Sequence, residues 1–430
     1  MEWNLYAQLM EEYDSSLTYD GIDGERLASR LHAISKIGLT PDGGSQRPGF
    51  YKEEKQAKDL VKQWMSEAGL TITEDGAGNV FGRLEGKQPG LPAVLSGSHV
   101  DSVPNGGHFD GPLGVLSSLE VVEAWNERGY QPERSYEVVI FSDEEGARFN
   151  NGLTGSRAMT GEVDREIQEG LVDQNDVSFG EALKEVGLSS EGFFNAKRNL
   201  DEVSHFVEVH IEQGKILEQK NLPAGIVSGI AGPSWLEITF EGTAGHAGNT
   251  PMTERRDPLV AAGEFVSNIH YLPKEVSRTA VATVGKLNVQ PNGANVIAGK
   301  VHLIVDIRDI YEDTRDQLVE LVTQQADRIA DKYGVTMEGK QILKVAPVPI
   351  APKYTDLLQH TFNNLGMDSH LLPSGAGHDA LIVGHQIPVS MLFVRSKDGI
   401  SHTPEEWSSL NDCVQTVHVL KRYIETHINQ

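Results

Sequence analysis

Short apolar runs alternate with amphipathic helices through the first half of this chain, and no other sequence feature restricts its fold more. The apolar runs have the length of buried strands and are bounded by Gly, Pro or acidic residues: 79–84, 92–99, 136–146 and 205–214. Other stretches repeat apolar side chains at helical spacing: 24–38, 52–69 and 113–129. Strands alternating with helices predict an α/β fold with a mainly parallel sheet.

Histidines and acidic residues collect where these predicted strands end. His99 closes one apolar run, Glu144 and Glu145 end another, and His210 lies near the end of a third. In open α/β sheets, functional groups gather at the carboxyl ends of the strands. We therefore expect these four side chains to lie at one edge of the sheet.

The pattern changes near residue 231. Residues 235–242 and 300–309 alternate strictly between apolar and polar, as strands with one buried face do. A helical pattern (254–270), a strand (281–289) and the turn "PNGAN" (291–295) lie between them, and a long helix (314–334) follows. This order is ferredoxin-like. It predicts an inserted α+β domain at 231–342, within a discontinuous first domain of 1–230 and 343–430.

Composition limits the function classes. A chain of 430 residues favours two domains. Its net charge of −25 argues against nucleic acid or an anionic membrane surface as a partner. Cys413 is the single cysteine, which favours a reducing compartment, and we expect a cytoplasmic protein. No signal peptide is recognisable at the start, and no apolar run reaches the roughly 18 residues of a membrane span.

Five residues are candidate metal ligands: His99, Asp110, Glu145, His210 and His402. Asp101 stands two positions after His99, where a carboxylate can accept the second ring N–H of a ligating histidine. Asp110 follows a Gly-rich loop, and one aspartate can bridge two cations. Each of these residues alone could equally belong to a solvated turn or be an ordinary surface histidine. The hypothesis of a metal site therefore depends on their occurring together at predicted strand ends.

Glu144 and Glu145 are neighbours and therefore point in different directions. One carboxylate can bind a metal while the other acts as a general base. Oxygen and nitrogen ligands without a thiolate suit Zn²⁺, Mn²⁺ or Co²⁺ in a catalytic centre and do not suit a structural zinc.

Seven motifs resemble one known family: "GSHVDSVPNGGHFDGPLGVL", "FSDEEGARF", "VHIEQG", "GTAGHAGNTPM", "NGANVIAGKVHLIVDIRD", "GAGHDA" and "ISHTPEEW". In order, they are similar to the aminoacylase/carboxypeptidase superfamily of two-metal hydrolases, and in particular to its hydantoinase/carbamoylase branch. That branch includes allantoate amidohydrolases, N-carbamoyl-L-amino acid hydrolases and β-ureidopropionases. The resemblance runs from about residue 30 to the end of the chain.

The resemblance implies a role for each candidate. His99 and His210 would bind one metal ion, Glu145 and His402 the other, and Asp110 would bridge the two. Asp101 would orient His99, and Glu144 would be the general base. The residues implied to bind substrate are Gln213, His246, Asn295, Arg308 and Gly377. The inserted domain would be a lid and dimerisation domain of a homodimer, whose partner contributes His246 or Asn295.

The chemistry of His246 and Arg308 also fits a role in binding substrate. His246 stands in a Gly-rich loop and is the candidate donor to the oxyanion of the reaction. Arg308 lies on the strand face opposite Val301 and Ile307, where we expect its guanidinium to be free to hold a carboxylate through two hydrogen bonds. The alternative for Arg308 is an ordinary surface ion pair. Pro112 and Asn249 depart from the pattern expected for the branch.

The leading hypothesis is a two-metal amidohydrolase that cleaves the linear carbamoyl C–N bond of a small carboxylate, such as allantoate or an N-carbamoyl-L-amino acid. The rival within the family is a deformylase of formylaminopyrimidines in thiamin salvage, whose substrate lacks the carboxylate. A peptidase fits the motifs less well. A non-catalytic binding protein would require loss of ligands, and all five are present.

Overall fold

The computed structural model describes residues 3–428 and divides the chain into two compact units. The first unit contains the chain up to Ser228, the stretch Ile350–Leu372 and the chain from His378 onward. The second unit contains Gly229–Pro349 and the short stretch Pro373–Gly377.

The strands, in chain order, are β1 (Thr71–Glu74), β2 (Val80–Leu84), β3 (Ala93–His99), β4 (Tyr136–Phe141), β5 (Val203–Ile211), β6 (Ala224–Ile230), β7 (Gly232–Glu241), β8 (Gly245–His246), β9 (Val281–Gln290), β10 (Val296–Ile297), β11 (Lys300–Asp309), β12 (Thr336–Lys344), β13 (Val348–Pro349), β14 (Leu371–Ser374) and β15 (Val389–Val394).

The helices are α1 (Leu5–Met10), α2 (Gly24–Ser35), α3 (Lys52–Glu67), α4 (Pro112–Arg128), α5 (Thr154–Thr160), α6 (Arg165–Glu169), α7 (Phe179–Glu185), α8 (Ser190–Phe194), α9 (Ile216–Lys220), α10 (Pro258–Ile269), α11 (Pro273–Val276), α12 (Glu312–Tyr333), α13 (Pro352–Asn364), α14 (Asp379–Val383) and α15 (Leu410–Ile428).

The first unit is built on a mixed sheet with a parallel centre. Its strands lie in the order β1-β2-β4-β3-β5-β15-β6. The three pairs β4–β3, β3–β5 and β5–β15 are parallel, whereas β1–β2, β2–β4 and β15–β6 are antiparallel. The predicted α/β class is confirmed. The sheet is mixed rather than mainly parallel, because only its central strand pairs are parallel.

Every residue of β3, β4 and β15 is buried, as expected for parallel strands covered on both faces. The helices α4 and α15 pack against this sheet and against each other. Trp125 of α4 is fully buried, and its ring lies 5.2 Å from that of Tyr136 in an edge-to-face arrangement. This core fixes the carboxyl ends of the central strands.

A second apolar cluster of the first unit lies in a region for which the sequence predicted no elements. The four short helices α5 to α8 lie between residues 154 and 194. Phe179 contacts Phe50, Phe149 and Phe193 edge to face, with ring centroids 4.9 to 5.5 Å apart. These helices are only five to seven residues long, which is too short for a clear apolar period.

The second unit is an antiparallel sheet with helices on one face. Its strands lie in the order β12-β7-β11-β9, with α10 and α12 packed against them. On β11, Val301, Leu303, Val305 and Ile307 are fully buried and alternate with partly exposed residues. The unit is longer than the predicted insertion of 231–342, because β12 continues to Lys344 and β13 pairs with the Gly229–Ile230 part of β6.

Among the helices formed by residues 3–428, none is both long and apolar enough to cross a membrane.

Candidate metal centre and substrate-binding residues

All four parallel strands of the first unit bring a candidate ligand to their carboxyl ends. His99 is the last residue of β3, Glu145 follows β4, and His210 is the penultimate residue of β5. His402 lies in the loop after β15, with its backbone in the left-handed region (φ 60°). Asp110 precedes α4. The predicted gathering of these side chains at one edge is what the structure shows.

The five side chains form two groups that share Asp110. His99, Asp110 and His210 make one group, and Asp110, Glu145 and His402 make the other, with the ligand atoms of each group within 4.8 Å of one another. His210 Nε2 lies 3.1 Å from Asp110 Oδ1, and His402 Nε2 lies 3.4 Å from Asp110 Oδ2. Each carboxylate oxygen of Asp110 therefore faces a different group, as a bridging ligand requires.

The donor set fits divalent cations. Nitrogen and oxygen donors without sulfur suit Zn²⁺, Mn²⁺ and Co²⁺. His99 is fully buried, and its Nε2 has no hydrogen-bond partner among the described residues. Burial and the neighbouring Asp110 raise the pKa of Glu145 to about 8. Buried carboxylates this close together need nearby positive charge to stay ionised, and cations held by these residues would supply it.

Asp101 connects His99 to the loop that follows β4. Its two carboxylate oxygens accept the backbone N–H groups of Glu144 and Glu145, each at 3.1 Å. His99 Nδ1 lies 3.2 Å from the Asp101 carbonyl oxygen and 3.4 Å from its Oδ1. The acceptor nearest to His99 Nδ1 is therefore the backbone carbonyl of the buried Asp101, and its carboxylate mainly fixes the backbone of both glutamates.

Glu144 lies beside the first ligand group without belonging to it. Its Oε2 is 3.7 Å from His99 Nε2, and its side chain is 9% exposed. Burial, opposed by His99 and reinforced by Glu145, raises its pKa well above the usual value for a glutamate. A carboxylate in this position can take a proton from a water molecule, whereas Glu145 faces His402 at 3.6 Å.

Glu406 and Ser401 were missed by the sequence analysis. Glu406 Oε1 accepts the backbone N–H groups of Phe109 (2.9 Å) and Asp110 (3.1 Å), and the residue is 3% exposed. The hydroxyl of Ser401 lies 2.9 Å from Glu406 Oε2 and 2.9 Å from Asp110 Oδ2. These contacts join the Asp110 loop to the His402 loop. The motif "ISHTPEEW" contains both residues, but it does not distinguish Glu406 from Glu405.

Gly111 and Pro112 shape the start of α4 beside His99. Gly111 has φ 82°, and a Cβ atom there would lie 2.4 Å from the His99 ring, so only glycine fits. Pro112 is the first residue of α4, the helical position that proline favours. The departure from the family pattern at Pro112 is therefore compatible with the local backbone.

Gln213 also reaches the shared carboxylate. Its Nε2 donates to Asp110 Oδ2 at 2.7 Å, and its backbone is left-handed (φ 54°). Gln213 Nε2 is also 3.4 Å from His402 Nε2. A substrate atom that enters this group meets an amide donor next to the candidate ligands.

His246 and Asn295 are brought together within the second unit. The short strands β8 and β10 pair His246 with Val296, and Ala247 donates its N–H to the Asn295 carbonyl oxygen at 3.0 Å. His246 Nδ1 accepts the N–H of Gly248 at 3.0 Å, which leaves Nε2 as the ring nitrogen that can donate. The exposed His246 ring can therefore donate a hydrogen bond through Nε2. Asn249 lies in the exposed turn after it.

Arg308 is not free, contrary to the expectation from the sequence. It is on the predicted, partly exposed face of β11, but its Nε and Nη2 donate to the two oxygens of Asp306, each at 2.8 Å. Its Nη1 donates to the carbonyl oxygen of Gly375 at 2.8 Å. Because strand side chains repeat every second residue, Asp306 shares the face of Arg308. Gly377 is partly exposed in the same short stretch as Gly375.

Comparison with known proteins identifies the family. Residues 95–426 match the sequence profile of peptidase family M20/M25/M40. The chain belongs to this family, in its hydantoinase/carbamoylase branch. It is 45% identical over 399 residues to an N-carbamoyl-L-amino acid amidohydrolase of Geobacillus stearothermophilus, a match that covers 93% of this chain and 97% of that enzyme.

Two further relatives support the assignment. The chain is 36% identical over 376 residues to an allantoate amidohydrolase of Bacillus subtilis, with 87% of this chain and 91% of that enzyme covered. A crystal structure of a hydantoinase/carbamoylase family amidase from Burkholderia multivorans superimposes with a TM-score of 0.88 at 35% identity, over 95% of this chain and 99% of that one. The protein is a hydrolase of carbon–nitrogen bonds other than peptide bonds.

Proposed function

We propose that this enzyme hydrolyses the linear carbamoyl C–N bond of a small carboxylate, of which an N-carbamoyl-L-amino acid and allantoate are the two leading examples. One observation carries the proposal: two ligand groups share Asp110, with the non-ligating Glu144 directly beside them. The relatives described above act on substrates of this class.

Two divalent cations, Zn²⁺, Mn²⁺ or Co²⁺, complete the proposed centre. His99 and His210 would hold one, Glu145 and His402 the other, and Asp110 both. Cations bound in such a centre supply Lewis acidity, which polarises the substrate carbonyl and lowers the pKa of water toward about 7.

Glu144 moves the proton in this proposal. It accepts a proton from the water whose oxygen attacks the carbamoyl carbon, and it delivers that proton to the substrate nitrogen as the C–N bond breaks. The products are the free amine and carbamic acid, which decomposes to ammonia and carbon dioxide. Asp101 keeps the Glu144 backbone in place through its 3.1 Å hydrogen bond.

The residues that we propose to contact the substrate are exposed or partly exposed. His246 would donate its Nε2 proton to the developing oxyanion, as its Nδ1 contact with Gly248 allows. Gln213 and Asn295 would bind the polar groups of the substrate, and Gly377 would line the binding loop. Arg308 would bind the substrate carboxylate.

A substrate panel tests the proposal. Purified enzyme loaded with Mn²⁺, Zn²⁺ or Co²⁺ is assayed on allantoate, N-carbamoyl-L-amino acids, ureidopropionate and a formylaminopyrimidine. We expect ammonia from at least one ureido carboxylate and no formate. Formate release from the pyrimidine, with no ammonia from any ureido compound, would establish the deformylase instead.

We also propose a homodimer formed through the second unit, in which that unit serves as a lid and dimerisation domain. The unit exposes large apolar side chains that a partner would cover: Leu259, Val260, Leu287 and Ile342. Light scattering at micromolar concentration should give twice the chain mass. A fully active monomer at that concentration would disprove the dimer.

A further inference from the structure

The guanidinium of Arg308 is anchored on two sides by its own unit. Asp306 accepts from Nε and Nη2, and the Gly375 carbonyl oxygen accepts from Nη1. An arginine has five N–H groups, so these three contacts leave one N–H on each terminal nitrogen. Two N–H groups of one guanidinium are what a further carboxylate needs for a paired contact.

Asp306 is itself fixed from the neighbouring strand. The register of β7 and β11 places Trp235 opposite Asp306, and the indole Nε1 donates to Asp306 Oδ2 at 3.1 Å. Trp235, Asp306 and Arg308 therefore form a chain of hydrogen bonds on the open face of the sheet. Asp306 and Arg308 side chains are 26% and 31% exposed, so solvent and small molecules reach both.

We propose that Asp306 is a positioning residue that holds the two remaining N–H groups of Arg308 outward, and that it thereby sets the preference of the enzyme for substrates with a carboxylate. This inference rests on the proposed function. Arg308 makes the contact with the substrate carboxylate, and Asp306 fixes the orientation of the Arg308 guanidinium.

Removing Asp306 changes KM in opposite directions, depending on whether this residue neutralises Arg308 or positions it. The Asp306–Arg308 pair carries no net charge, so it attracts a distant carboxylate only weakly. If Asp306 merely neutralised Arg308, removing it would strengthen the attraction and lower KM for an anionic substrate. If Asp306 positions Arg308, removing it frees a long side chain to adopt many rotamers, and KM rises.

The kinetic test compares an N-carbamoyl-L-amino acid with its carboxamide, which has the same shape and no charge. For Asp306→Ala we expect KM for the carboxylate to rise about tenfold, the scale of a charged hydrogen bond. The kcat for the carboxylate and both constants for the carboxamide should stay within about twofold. Asp306→Asn keeps one acceptor oxygen and should fall between wild type and Asp306→Ala.

A matched control lies on the same sheet face. A carboxylate oxygen of Glu237 lies 2.6 Å from His302 Nε2, and Glu237 is no part of the proposed substrate contacts. Glu237→Ala removes an acidic partner without touching Arg308, so it should leave both substrates unchanged. A lower KM for the carboxylate in Asp306→Ala, or an equal loss for the two substrates, would overturn the positioning role.

A second measurement does not need turnover. Phenylglyoxal modifies accessible, mobile arginines, and mass spectrometry of the Arg308 peptide gives the labelling rate. We expect Arg308 to label several times faster in Asp306→Ala than in the wild type or in Glu237→Ala. Equal rates would overturn the positioning role. A wild type that hydrolyses no ureido compound would refute the proposed function alone, because the labelling result still decides whether Asp306 holds Arg308.

Discussion

At the scale of single residues, neighbours with the same side chain have different surroundings. Glu144 and Glu145 both give a backbone N–H to Asp101, but only Glu145 faces His402. We expect Glu144→Gln to retain bound metal and to lose about 10²–10⁴ in kcat, the range for loss of a general base. Glu145→Gln should lose metal, measured by elemental analysis. The reverse pattern would exchange the two roles.

Glu406 differs from Glu405 in the same way. Glu406 is buried against the Asp110 backbone, whereas Glu405 is exposed. Glu406→Ala removes the acceptor that joins the Asp110 and His402 loops, and we expect metal affinity to fall about tenfold or more. Glu406→Gln keeps an acceptor oxygen and should retain most of the affinity.

Calorimetric titration of the metal-free protein measures this loss, and Glu405→Ala is the matched control. If Glu405→Ala and Glu406→Ala bind metal equally well, Glu406 does not position the centre. The sequence could not make this distinction, because the contact of Glu406 with Asp110 joins positions that are almost 300 residues apart.

At the scale of elements, the last turn of α15 meets the start of β5 through uncharged histidines. The rings of His427 and His205 lie 4.5 Å apart, with Tyr354 and Tyr423 around them. Burial, with Arg134 and Lys353 adding to it, lowers the pKa of His427 to about 4. Burial, with His427 and Lys353 adding to it, also lowers the pKa of His205 well below the usual value.

This contact makes stability depend on pH in a defined window. The unfolded chain binds protons at these histidines near pH 6.5, whereas in the folded chain His427 does so only near pH 4 and the pKa of His205 lies well below its usual value. The stabilisation is therefore complete above about pH 6.5 and is lost as pH falls toward 4, by at most about 1.4 kcal/mol per pH unit for each histidine. The free energy of unfolding, measured in urea from pH 7.5 to 4.5, should fall less steeply with pH for His427→Phe than for wild type. If the two free energies fall equally steeply, this contact does not contribute to the pH dependence of stability.

The elements that the sequence predicted are the long, strongly patterned ones. β11 was expected at 300–309 and is found there, and α3 and α4 lie within two residues of their predicted ends. The parallel strands β4, β3, β5 and β15 bring the candidate ligands together at their carboxyl ends, as the rule for open α/β sheets predicts. The short helices α5 to α8 were missed because five to seven residues carry too little periodicity.

Side-chain pairing was the least predictable level. The predicted strand face of Arg308 is the one observed, but the sequence does not show that Asp306, on that same face, accepts hydrogen bonds from its Nε and Nη2. Alternation specifies which face a residue occupies, whereas the partner it chooses there depends on rotamers and on neighbouring strands such as β7.

At the scale of the whole molecule, cations bound to the folded chain should stabilise it against unfolding. The unfolded chain has no preformed ligand set, so binding adds to folding stability by mass action. At a free cation concentration of about 100 times Kd the gain is about 2.7 kcal/mol. Adding a chelator should therefore lower the thermal midpoint of the wild type.

The shared ligand provides the control for this prediction. Asp110 belongs to both ligand groups, so Asp110→Ala should lose both cations and its thermal midpoint should not respond to chelator. His402→Ala should keep one cation and respond partly. A wild type that is fully active with one metal ion per chain, by elemental analysis, would contradict the two-cation centre.

The order in which the chain supplies its ligands bears on how the centre is made during synthesis. His99, Asp110 and His210 all precede the second unit, and β3 pairs directly with β5. His402 follows β15, which joins β5 only after the whole second unit has been translated. Because Glu406 also holds the backbone of Asp110, both groups depend on residues that are translated after the second unit. The candidate metal centre would therefore be completed only when the C-terminal stretch of the first unit has left the ribosome.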